Sequence, residues 1–115
     1  MSRDFTYISD VVEVIFRCCS NKVEANKNFN KLQPESSSSF APHRILNVGN
    51  GNPVNLLEFI EILESNLGCK AVKSYLPMQP GDVENTYADT TLLEEYTNYK
   101  PIICLKKGLK YFSDW

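Results

Sequence analysis

Apolar residues recur at helical spacing in two stretches of this chain and alternate in a few shorter ones. Val11, Val12, Val14, Ile15 and Cys18 fall on one helical face. A helix is therefore predicted from Ser9 or Asp10, either of which can cap it, to about Ser20. Leu56, Phe59, Ile60, Leu63 and Leu67 make the stripe of a second helix. Asn55 caps it, Glu58 follows three residues on as in a capping box, and Gly68 stops it. Shorter helices are predicted from Asp89 or Thr90 to Tyr96 and from about Leu105 to Trp115. Arg3 to Ile8 alternates like a strand, Arg44 to Val48 reads as a buried strand, and Lys73 to Leu76 as another short one. Pro77-Met78-Gln79-Pro80-Gly81-Asp82 cannot continue that last strand, because two prolines remove donors and Gly81 invites a turn. Asn21 to Pro42 is poor in apolar residues and holds the run Ser36-Ser37-Ser38-Ser39, so it is predicted as a long loop. The pattern gives a small mixed α/β fold, residues 1–115 forming one domain, with about three short strands covered by about four helices.

Composition narrows the partners. Hydrophobic residues make up 43% and charged residues 23%, which is globular rather than disordered. A net charge of −2 offers no broad positive field, so neither nucleic acid nor a membrane surface is expected as a partner. Lys106, Lys107 and Lys110 read as a solvated helix face. Cys18, Cys19, Cys69 and Cys104 form no C-x-x-C pair and the lone His43 has no ligand spacing to them, so no metal site is expected. The chain opens with no signal-peptide pattern and has no apolar run of about 20 residues. It is read as a reduced, cytoplasmic protein.

Four segments invite chemical readings. Gly49-Asn50-Gly51 could cradle a phosphate, but Val54 stands where a dinucleotide loop needs its third glycine, so a plain turn is expected and no NAD site. Tyr96 and Lys100 have the bare Tyr-x-x-x-Lys spacing of dehydrogenases. That pair must share one helix, and Asn98 with Pro101 ends the helix here, so no catalytic residue is assigned. Gln79-Pro80-Gly81-Asp82 is either a type II turn or a rigid turn presenting an amide and a carboxylate to a ligand. Asp82 would then suit a ribose hydroxyl. Arg3 offers the fork of donors that fits a pyrophosphate, or forms a surface ion pair with Asp4.

In chain order stand Arg3-Asp4-Phe5-Thr6-Tyr7-Ile8, the serine run before Ala41-Pro42-His43-Arg44, Leu46-Asn47-Val48-Gly49-Asn50, Met78-Gln79-Pro80-Gly81-Asp82-Val83 and Thr86-Tyr87-Ala88-Asp89-Thr90. This succession resembles the carboxyl-terminal portion of UDP-glucuronate 4-epimerases, which are extended short-chain dehydrogenase/reductases. The resemblance covers essentially the whole chain. It implies an NAD-dependent parent enzyme whose amino-terminal Rossmann half holds the cofactor and does the chemistry. The present chain would be the substrate-binding part, inactive alone and without bound NAD. By that similarity Arg3 contacts the pyrophosphate, Val54 packs on the uracil and Asp82 binds the uridine ribose. Related galactose epimerases carry arginine where this chain has Gln79, so any contact there is uncharged. Partners implied are a UDP-sugar and the missing Rossmann half, with self-association favoured by exposed apolar surface. Two other readings stand beside it: a stand-alone, non-catalytic binding or interaction module, and a fragment of a related nucleotide-sugar dehydratase or decarboxylase.

Overall fold

The computed structural model describes every residue from Met1 to Trp115. The elements run β1 (Ser2–Arg3), α1 (Ile8–Ser20), β2 (Val54–Asn55), α2 (Leu56–Leu67), α3 (Thr91–Thr97) and α4 (Leu105–Asp114). The small mixed α/β architecture expected from the pattern is therefore present, with helices dominating.

The helices follow their local signals. The Asn55 side chain accepts from the Leu57 amide at 2.9 Å, and Gly68 closes α2 at φ 66, a left-handed conformation that costs glycine nothing. α1 begins earlier than predicted. Neither Ser9 nor Asp10 caps it: Tyr7 is the N-cap, without a side-chain bond, and Asp10 lies inside the helix, 2% exposed. Its carboxylate is drawn inward by the Tyr99 hydroxyl at 2.6 Å and the Ile103 amide at 2.9 Å. A buried carboxylate needs such donors, and these two fasten the start of α1 to the segment entering α4.

The strands are much shorter than predicted. β1 pairs antiparallel with β2, Ser2 opposite Asn55 and Arg3 opposite Val54. On its other side Ser2 bridges Asn85, donating to the Glu84 carbonyl at 2.8 Å and accepting from the Thr86 amide at 3.2 Å. Beyond Arg3 the ladder stops. Arg44 to Val48 makes a single bridge, Arg44 with Ser38, and Lys73 to Leu76 makes none. A strand exists only through its neighbours, and no second strand of this chain lies beside either run.

Asn21 to Pro42 contains no helix or strand, as expected, but it is organised. Asn26 and Asn30 accept from the amides two residues on, and Asn26 also donates to the Ser38 hydroxyl at 2.9 Å. Ser37 and Ser38 donate to opposite oxygens of Glu35 at 2.8 and 2.9 Å.

Apolar burial is thin. Only Val14, Leu93 and Leu109 are buried hydrophobic residues. α1 packs against α3 and α2 against α4, with Phe5 stacked on Phe59 at 4.5 Å between ring centroids. The radius of gyration is 18.1 Å, against about 13 Å for a compact domain of this length. α1 shows the same openness: Val12 and Ile15, expected on the inner face with Val14, instead form with Ile8 and Phe16 a stripe whose members are each more than half exposed. No helix is long and apolar enough to cross a membrane.

Candidate functional site

The two charged residues proposed for a ligand, Arg3 and Asp82, lie together. Arg3 Nη2 donates to Asp82 Oδ1 at 2.9 Å, with the side chains 23% and 41% exposed. This corrects the alternative of an Arg3–Asp4 ion pair. Arg3 Nη1 is anchored separately, donating to the Ser2 and Glu84 carbonyls at 3.0 and 3.2 Å. The guanidinium thus sits at a fixed point on the surface, where the backbone of β1 meets the 82–86 segment.

Asp82 ends a tight turn. Its amide donates to the Gln79 carbonyl at 3.2 Å, and Gly81 at the third position has φ 89. That is the backbone of a type II turn, which explains the glycine, and it places Gln79 three residues from Asp82 across the closure. The Gln79 side chain makes no hydrogen bond in the structure. Val54 stands directly opposite Arg3 on β2, and opposed residues of an antiparallel pair share a face. Val54 also lines a cleft of about 500 Å³ with Asn52, Glu58, Ile62, Asn66 and Leu105. Arg3, Gln79 and Asp82 do not line that cleft. The structure therefore joins Arg3, Asp82 and the Gln79 turn closely, and ties Val54 to them through the sheet.

Gly49-Asn50-Gly51 is a turn whose amides are already occupied. Asp4 accepts from the amides of Gly51 at 3.0 Å, Asn50 at 3.1 Å and Asn52 at 3.4 Å, and from Ala88 at 3.2 Å. The anion in this cradle is the chain's own carboxylate. Gly49 is required beneath it: a Cβ there would lie 2.3 Å from Ala88 Cβ and 2.7 Å from Asp4 Oδ2. Asp4 was missed as an organiser of the site. The available signal was three successive amides in the turn 50–52 with no local acceptor, since buried N–H groups must be bonded somewhere.

Tyr96 and Lys100 do not form a catalytic pair. α3 ends at Thr97, followed by Asn98 at φ 49. The Tyr96 hydroxyl donates to the Asn21 carbonyl at 3.1 Å, while Lys100 pairs with Glu94 at 3.2 Å. The nearby Tyr99, by contrast, is chemically perturbed: burial and then its bond to Asp10 push its hydroxyl up to about 12. A phenol held so firmly protonated is a structural donor rather than a base. No group of three or more His, Cys, Asp and Glu side chains could hold a metal ion, and all four cysteines are free.

Comparison with known proteins gives a consistent result. No family model matches the chain. It is 42% identical over 115 residues to Protein CapI of Staphylococcus aureus, covering 100% of this chain and 34% of that protein. It is likewise 42% identical over 119 residues to a probable UDP-glucuronate 4-epimerase of Rhizobium meliloti, again 100% and 34%. Among solved structures, a mutant UDP-glucuronic acid 4-epimerase of Bacillus cereus, in complex with UDP-4-deoxy-4-fluoro-glucuronic acid and NAD, superposes with a TM-score of 0.72 at 25% identity. That match covers 96% of this chain and 30% of the solved one. The chain spans about a third of the length of the curated relatives it matches, in their carboxyl-terminal portion. Its resemblance to UDP-glucuronate 4-epimerases, stated above from the motifs, is thus found along its whole length.

Proposed function

We propose that this chain is the UDP-sugar-binding part of an NAD-dependent nucleotide-sugar epimerase that interconverts UDP-glucuronate and UDP-galacturonate. The observation that carries the reading is the meeting of Arg3 and Asp82 at 2.9 Å on a rigid backbone frame. A guanidinium and a carboxylate side by side match the pyrophosphate and the ribose hydroxyls of one UDP. Val54 offers an apolar face to the uracil, and Gln79 an uncharged contact from the turn.

The residues present do not fit the NAD of such an enzyme. The amides of Asn50, Gly51 and Asn52 turn towards Asp4, and Tyr96 and Lys100 lie on different segments with separate partners. Cofactor and catalysis belong, in this reading, to a Rossmann half outside residues 1–115. The exposed stripe Ile8, Val12, Ile15 and Phe16 and the run Leu46 to Val48, whose backbone makes no ladder bond, are surfaces for that half to cover. Left uncovered, the same surfaces favour self-association.

The test is a UDP titration followed by amide NMR shifts. Binding is weak, because a pyrophosphate held from one side keeps much of its water. Shifts concentrate at Arg3, Val54 and 79–84, and Arg3→Ala removes them. UDP perturbing resonances far from these residues and none near them would sink the assignment.

A further inference from the structure

The bonds that hold Arg3 separate its position from its charge. Two backbone carbonyls, Ser2 and Glu84, fix Nη1. Asp82 alone supplies a counter-charge, and Arg3 pairs with no other acidic side chain. The same Asp82 Oδ1 accepts the Val83 amide at 2.9 Å, while Oδ2 has no partner. On the guanidinium, Nε and one Nη2 hydrogen are also unbonded.

We propose that Asp82 is a specificity residue that bars Arg3 to phosphates lacking a neighbouring pair of hydroxyls. The inference rests on the UDP-binding reading and deepens it. A bare phosphate approaching Nε and Nη2 meets a carboxylate already at Nη2, so its attraction to Arg3 is offset by repulsion from Asp82. A ligand carrying a vicinal diol beside its phosphates changes the balance. Its hydroxyls donate to the open Oδ2, and the carboxylate that repelled the phosphate now holds the sugar. Because the two carbonyls anchor the guanidinium independently, removing the Asp82 charge leaves Arg3 in place and unguarded.

Inorganic pyrophosphate and UDP are titrated separately, by amide shifts, into the wild-type chain, Asp82→Asn, Asp82→Ala and the double variant Arg3→Ala with Asp82→Asn. Asp82 is exposed, so both single variants keep the fold. Both should bind pyrophosphate about fivefold more tightly than wild type, the scale of one exposed ion pair. That gain should vanish in the double variant, and UDP should gain less than pyrophosphate. Pyrophosphate affinity unchanged or lowered in the single variants, or a gain that survives loss of Arg3, would overturn the proposal. UDP binding no tighter than pyrophosphate in the wild type would instead sink the half-site reading, while the pyrophosphate series still decides the role of Asp82.

Discussion

Replacing Asp4 by alanine removes the acceptor for four backbone amides at once. Three of them belong to the turn 50–52 and the fourth to Ala88, so one carboxylate joins three separate segments. A hydrogen bond to a charged group contributes about 1.5–3 kcal/mol when buried. Here the sum is much smaller than four times that. The Asn52 bond is long at 3.4 Å, Asn52 is exposed, and water can reach part of the turn once the carboxylate is gone. We expect a loss of about 2–4 kcal/mol, a large share of the stability of a chain of this size. Asp4→Asn should recover less than half of it, because an amide group keeps one acceptor oxygen but points two new donors at amides that also donate. The measurement is urea unfolding followed by helical circular dichroism, with exposed Asp114→Ala as a control that changes stability by less than about 0.5 kcal/mol. A loss below about 0.5 kcal/mol for Asp4→Ala would refute the role given to this carboxylate. So would an Asp4→Asn variant as stable as wild type.

Further outcomes rest on two other polar ties. Glu64, with its side chain 4% exposed, accepts from Lys70, Lys73 and the Ala71 amide, and these bonds, that of Lys70 first, lower its carboxyl from 4.5 to about 2. A depressed carboxyl stabilises the fold fully above pH 4.5 and progressively less as pH falls towards 2. Glu64→Gln should therefore flatten part of the acid-side loss, and an identical pH profile in the variant would show that the clasp contributes nothing. Tyr99→Phe leaves Asp10 with only the Ile103 amide, so we expect a loss of about 1–3 kcal/mol. The Tyr99 hydroxyl itself should titrate near 12 in an ultraviolet titration, its stabilising effect present below pH 10 and lost as pH rises through 12. Ionisation of Tyr99 at the ordinary phenol value of about 10 would contradict the Asp10 bond.

What could be read in the sequence was what is decided locally. The Asn55 cap and Gly68 stop of α2 are set within one segment, and the structure repeats them, whereas the expected inner stripe is only half-buried at Phe59, Ile60 and Leu63 and exposed at Leu56 and Leu67. The Gln79 to Asp82 turn is likewise local, and Pro80 with Gly81 announced it. Partners chosen across the chain were not legible. Arg3 selects Asp82, 79 positions away, over its neighbour Asp4. Asp10 had the profile of a helix cap, and only the distant Tyr99 and Ile103 make it a buried acceptor. The runs at Arg44 to Val48 and Lys73 to Leu76 had strand composition, but composition cannot supply the neighbour that a ladder requires.

The same contrast explains how so open a chain holds its site. Three buried apolar side chains cannot order 115 residues by burial alone. Carboxylates placed among donors add long-range joins to the helix packing: Asp4 for the 50–52 turn and residue 88, and Asp10 for the approach to α4. Glu64 does the same over a shorter span, clasping the segment after α2. Asp4 and Arg3 are adjacent and act in opposite directions, one gathering backbone amides and the other reaching out to the 82–84 segment. The site is therefore assembled by polar geometry that survives with little core, while the apolar stripe of α1 is left over. A stripe of that kind contributes nothing to stability while it faces water, so its four side chains carry a hydrophobic stabilisation that the chain does not use on itself.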